Sequence, residues 1–209
     1  MNILDVSYKL LNGADLWNMI KEAGLQNDAR IASHYGIENQ FLLTDVGMLQ
    51  QPQQLFEALK FLKDKKIDTY FEVGTFYGTA TLVIYSYLKR LNPNLTGITI
   101  DNADRGNGLV DYADSIGLKM IRGTSDMFKG YKSDLCFIDG DHSYEWVKRD
   151  FENIGKNAKY CMFHDIQDSW IENNGAERFW NEIKTTNDKE FLYHPEGDKY
   201  FGIGIKINE

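Results

Sequence analysis

The sequence predicts an α/β fold, a doubly wound and mostly parallel sheet with helices on both faces, and three observations carry that expectation. Short β-prone runs alternate with helical ones along most of the chain, the first such run ends on a glycine turn that opens into a helix, and acidic residues close several others. Parallel neighbours need crossover connections, so repeated strand–helix units of this length cover both faces of one sheet.

At 209 residues and 43% hydrophobic content, the chain can bury one sizeable core. Residues 1–48 hold one helical stretch, near residues 14–23, and then a polar, irregular segment through His34, Tyr35, Gly36 and Asn39; they are expected to form a cap or lid. Residues 49–209 form the α/β domain. Its first helix is signalled by Pro52 at a first-turn position, with Leu55, Phe56, Leu59 and Leu62 at helical spacing. A strand over 67–73 follows, ending at Gly74, and then a helix over 79–91. The alternation continues with a strand at 95–101, a helix at 108–116, strands at 118–121 and 133–139, a helix at 144–154 and a strand at 159–164. The end of the chain differs. A helix near 176–184 leads to strands at 191–194 and 200–207 around a turn at Pro195-Glu196-Gly197-Asp198, an antiparallel hairpin closing the sheet edge.

Composition excludes several classes of function. A net charge of −8 and one short basic run, Lys63 to Lys66 with Asp64 inside it, disfavour nucleic acid as a partner. No window is apolar for the roughly 18 residues a membrane span requires, and the first residues lack the order of a secretory signal, so a cytoplasmic protein is expected. Cys136 and Cys161 sit in apolar runs and read as reduced, buried thiols rather than a disulfide or a zinc cluster.

In an open α/β sheet, ligands bind beyond the carboxyl ends of the strands, where the strand order reverses. The first strand ends Glu72-x-Gly74-x-x-x-Gly78, in which Gly74 lets the backbone turn and approach a ligand and Gly78 lets the next helix start against the strand. An ordinary tight turn has the same glycines. The second strand ends on Asp101, a carboxylate placed to accept both hydroxyls of a ribose or to stand as a solvated loop acid. Together they read as an adenosine-type cofactor site.

The spacing Glu72-x-Gly74-x-x-x-Gly78 resembles the first motif of class I S-adenosylmethionine-dependent methyltransferases, which are Rossmann-like. Phe137-Ile138-Asp139-Gly140-Asp141-His142-Ser143-Tyr144, the spaced Val147 and Asp150, Met162-Phe163-His164-Asp165, and Gly175-Ala176-x-x-Phe179-Trp180 resemble a narrower group. That group holds macrocin-type sugar O-methyltransferases and cephalosporin-hydroxylase-like proteins. The resemblance runs from about Leu55 to Ile205. It implies a seven-stranded sheet with only the last strand antiparallel, Gly74, Thr75 and Gly78 cradling the methionine part of S-adenosylmethionine, and Glu72 behind that turn. It also implies Asp101 on the ribose and Thr124-Ser125-Asp126 at the edge of the adenine.

The carboxylates after the fourth and fifth strands admit a further role. Asp139, His164 and Asp165 close neighbouring strands and could together hold a divalent metal. Oxygen ligands suit magnesium, whereas the histidine shifts the preference to manganese, iron or zinc. Asp139 and Asp165 also read as groups that bind cofactor nitrogens or cap the following helices. His142, at the start of a helix, is the candidate general base, working with Asp139; its bland alternative is a half-buried residue bonded to backbone. Tyr77, Tyr144, Trp146, Met127 and Phe128 line a pocket or fill the core, and His34 and His194 carry no spacing signal.

The activity expected is methyl transfer from S-adenosylmethionine to a hydroxyl of a sugar-like small molecule, with magnesium or another divalent cation assisting. A homo-oligomer is compatible with this reading, and no membrane partner is expected. Three rivals stand beside it: a non-catalytic cofactor-binding relative, a hydroxylase-like metal enzyme, and an NAD-dependent oxidoreductase, whose G-x-G-x-x-G spacing the turn does not match.

Overall fold

A computed structural model describes residues 49–76, 78–103, 110–167, 172–193 and 201–208. The expected cap over 1–48 with His34, together with Tyr77, Asp104, Gly108, His194, the 195–198 turn and Tyr200, lies outside the described residues.

The first described helix, α1 (Pro52–Leu62), starts as its sequence dictates. Pro52 occupies the first turn, where a missing N–H costs nothing, and the Gln51 side chain accepts from the Gln54 amide at 2.8 Å. Leu55, Leu59 and Leu62 are fully buried against the sheet, each contributing about 2 kcal/mol by leaving water. Strand β1 (Thr69–Val73), helix α2 (Thr79–Leu91) and strand β2 (Thr96–Asp101) follow. Then come α3 (Val110–Ser115), β3 (Leu118–Arg122), β4 (Leu135–Ile138), α4 (Tyr144–Asn153), β5 (Tyr160–Phe163), α5 (Gly175–Ile183), β6 (Lys189–Phe191) and β7 (Ile203–Ile207).

The seven strands among the described residues form one sheet in the order β3-β2-β1-β4-β5-β7-β6. β7 runs antiparallel to both its neighbours, and the other pairs are parallel. The fold is the expected Rossmann-like, doubly wound α/β sheet with a C-terminal antiparallel pair at its edge. One strand is displaced from its expected place: β6 spans Lys189–Phe191, and Leu192 and Tyr193 lie beyond it, exposed. Glu190 explains the shift, because its Oε1 accepts the Trp180 indole N–H at 2.6 Å and pairs with Lys184 at 2.9 Å, fixing this segment onto α5.

Strand alternation sorts the core into two layers. Tyr70, Leu135, Phe137 and Met162 face α1, α2 and Ala113 of α3, while Phe71, Cys136, Ile138, Cys161 and Phe163 face α4 and α5. Both cysteines are free and buried, as expected.

Candidate active site

The strand order reverses between β1 and β4, which both follow the sheet outward from the centre. The turn after β1 therefore meets the end of β4. Gly74 stands at φ 101°, its N–H donating to the Ile100 carbonyl at 2.9 Å, and a Cβ built on it would lie 2.0 Å from the Asp139 carbonyl oxygen. The expectation from sequence, that Gly74 is small so that backbone can approach a ligand, misses this cause: the protein's own β4 exit already fills that space.

Asp101, at the end of β2, holds the same turn from the other side. Its Oδ2 accepts from the Phe76 amide at 2.7 Å and its Oδ1 from the Ala103 amide at 2.8 Å. Phe76 is left-handed, at φ 49°, and Gly78 closes the turn with its N–H on the Thr75 carbonyl at 2.8 Å. Thr75 is buried, its hydroxyl 2.6 Å from that of Thr99. Glu72 lies behind the turn with no surface exposed, and burial pushes its carboxyl up to about 8 although the hydroxyls of Thr81, Thr99 and Tyr70 pull it part of the way back.

After β3, the Ser125 hydroxyl is buried and accepts from the Asn153 side chain at 3.0 Å. Asp126 also accepts from Asn153, and it pairs with Arg149 and with Lys129. Both side chains are thus tied to α4 or the adjoining loop. Of the aromatic candidates, Phe128 packs edge-on against Phe71 in the core, Tyr144 packs on Phe179 and carries Arg178 over its ring, and Met127 is 63% exposed.

Asp139, His164 and Asp165 converge at the ends of β4 and β5, with one potential ligand atom from each within 4.8 Å of the others. The His164 Nδ1 stands 3.1 Å from Asp139 Oδ1 and 3.3 Å from Asp165 Oδ1, and its ring stacks on Phe201. Burial alone would depress the His164 pKa, but the carboxylates of Asp165 and Asp139 outweigh it and hold the ring well above its ordinary value. Asp165, whose burial opposes ionisation, is held well below the ordinary carboxylate range by His164 and His142.

His142 reaches into this cluster from the loop before α4, its Nε2 2.8 Å from Asp165 Oδ2, and its side chain is 41% exposed. Its partial burial works against charge, yet Asp165, with Asp139 behind it, raises the ring to about 9. In this arrangement His142 carries a proton at neutral pH.

The α5 N-terminus braces the whole cluster. The Asn174 side chain accepts from the Ala176 and Glu177 amides and donates to the Asp165 carbonyl at 2.6 Å, which holds Asp165 in its left-handed conformation at φ 57°. Gly175 donates to the His142 carbonyl at 3.0 Å, and a Cβ there would sit 2.0 Å from the Tyr144 nitrogen. Asn174 escaped the sequence reading, and so did Gln50, whose side chain donates to Asp139 Oδ2 at 3.0 Å. The only signal for Gln50 is a run of glutamines around Pro52, which points to nothing without the fold.

The sheet order thus brings the glycine turn after β1, the acid closing β2 and the acids that follow β4 and β5 to one edge of the sheet. Residues 71–166, a little under half of the chain, match the family model described as a methyltransferase domain. Solved structures of the same fold include the O-methyltransferase TomG from Streptomyces achromogenes, in complex with SAM, at a TM-score of 0.58 and 11% identity. That alignment covers 98% of this chain and 93% of TomG. The SAH-bound methyltransferase PaMTH1 from Podospora anserina aligns at 0.52 and 13% identity over 98% of this chain and 91% of its own. An O-methyltransferase from Bacillus cereus in complex with SAH aligns at 0.50 and 12% over 97% and 93%. No curated protein matches by sequence.

Proposed function

We propose that this chain transfers the methyl group of S-adenosylmethionine to a hydroxyl of a small, sugar-like acceptor, with a divalent cation at Asp139, His164 and Asp165. The observation that carries the reading is the convergence of those three residues beside the Gly74 turn, so that a cofactor site and an oxygen-and-nitrogen ligand set share one seam of the sheet.

The sulfonium methyl group is already electrophilic, so the protein has to align donor and acceptor and remove one proton. The turn from Gly74 to Gly78 presents backbone to the cofactor, and Asp101, with a lone pair left on each oxygen, faces the same side and accepts from the ribose. Asp139 and Asp165 with His164 fit a divalent cation: two carboxylates and an imidazole are a donor set for manganese, iron or zinc, and among the described residues the buried Asp165 Oδ1 has only the His164 ring beside it, at 3.3 Å. A cation bound there would lower the pKa of an acceptor hydroxyl. His142, the most exposed member of the cluster, is the group that takes the proton, once its own has passed to solvent.

The test is a thermal-shift comparison of S-adenosylmethionine, S-adenosylhomocysteine and NAD, each with manganese, magnesium or chelator. Stabilisation by S-adenosylhomocysteine, and a further rise with manganese that Asp139→Asn removes, is the expected result. A shift with NAD alone would overturn the reading. Once an acceptor is in hand, His142→Ala should lower turnover about 10²-fold or more while S-adenosylhomocysteine affinity persists. Full activity of that variant would reduce His142 to a bracing residue.

A further inference from the structure

We propose that Gln50 is a positioning residue that fixes the Asp139 carboxylate for the cation, an inference that rests on the cation reading above. Gln50 stands immediately before the N-cap of α1, and α1 is itself anchored nearby: Gln54 donates to the Tyr193 carbonyl and accepts from the Gly202 amide, both at 3.0 Å. The backbone that carries Gln50 is thereby tied to the C-terminal strands. Its side chain, in a residue only 3% exposed, spans 89 positions of sequence to reach Asp139.

The consequence is a division of labour between two oxygens. Gln50 Nε2 holds Oδ2, and Oδ1 is left facing His164 Nδ1 at 3.1 Å, the side on which Asp165 also lies. A carboxylate tied at one oxygen cannot rotate away, which is how outer groups orient metal-ligating carboxylates. The donor is also neutral. A lysine or arginine in its place would neutralise Asp139 and compete with a cation for it, whereas an amide N–H orients the carboxylate and leaves its charge.

A second observation sets Gln50 apart from ordinary packing. Its Oε1 is buried and, among the described residues, makes no hydrogen bond, a condition that costs stability and that an apolar side chain of the same size would relieve. The interaction the Gln50 amide does make is at its donor end, on Asp139 Oδ2.

The experiment is calorimetric titration of manganese into the full chain saturated with S-adenosylhomocysteine, comparing wild type, Gln50→Ala and Asp139→Asn. Gln50→Leu, which keeps the volume, takes the place of Gln50→Ala if that variant does not fold. The Gln50 variants should bind manganese about 10- to 100-fold more weakly, with S-adenosylhomocysteine affinity and the cation-free denaturation midpoint near wild type. Manganese affinity unchanged in both Gln50 variants, while Asp139→Asn loses it, overturns this inference and spares the cation reading. Parallel losses in manganese affinity, cofactor affinity and stability make Gln50 merely structural and overturn it as well. A wild type that binds no manganese brings down the cation reading, and this inference with it.

Discussion

Glu72 is fully buried, with only the hydroxyls of Thr81, Thr99 and Tyr70 beside its carboxyl to offset the loss of water. Burial raises its pKa from the ordinary 4.5 to about 8, so its contribution to stability is full below about pH 4.5 and is lost as the pH rises through about 8. A shift of this size corresponds to a loss on the order of 5 kcal/mol across that window. Urea denaturation between pH 5 and 9 should show the decline, and Glu72→Gln should flatten it; equal slopes in the two proteins would place the titration elsewhere. At this scale the sequence was legible where chemistry and position coincide. Asp139, His164 and Asp165 could be picked out because each closes a strand, and strand ends on neighbouring strands meet. Gln50 could not, because its partner is set by how α1 docks, and no local pattern encodes that. Gly74 was legible as a necessary glycine but for a different reason, since the clash it avoids is with a strand end 65 positions further on, at Asp139.

Helix α5 does more than cover the sheet. Its N-cap, Asn174, satisfies two of the helix's free amides and grips the Asp165 carbonyl, while Gly175 admits the His142 loop. Asn174→Ala should therefore cost about 2 kcal/mol, as a lost cap plus a buried carbonyl left without its donor. Asn174→Ser, which keeps a capping oxygen, should recover roughly half of that in chemical denaturation; a serine variant as weak as the alanine would show that the cap contributes little. Helix and strand positions were mostly legible because each long element carries its own period and its own stop signal, as with α2, which begins at Thr79 after Gly78 and ends at Leu91. β6 was less so. It is a three-residue edge strand with an exposed and half-buried pattern, and its place is set by the Trp180–Glu190 contact rather than by alternation.

Across the whole sheet, the site is two halves on either side of one seam. The turns after β1 and β2 form one half, held by Asp101; the exits of β4 and β5, braced by α5 and Gln50, form the other. Gly74 is where they touch, because the Asp139 carbonyl oxygen occupies the position a Cβ would need. This arrangement predicts three distinguishable phenotypes in paired titrations of S-adenosylhomocysteine and manganese. Asp101→Ala releases the Phe76 and Ala103 amides on the cofactor side alone, so it should weaken S-adenosylhomocysteine by about 2 kcal/mol and leave manganese binding within twofold. His164→Ala should do the reverse. Gly74→Ala cannot be confined to either side: its methyl group must push β1's turn and β4's exit apart, and its φ of 101° is strained for any side chain. Both affinities should fall together in that variant, along with stability. A Gly74→Ala protein that loses S-adenosylhomocysteine and keeps wild-type manganese affinity would mean that the two halves are independent, and that Asp139 is positioned by β4 without the turn it leans on.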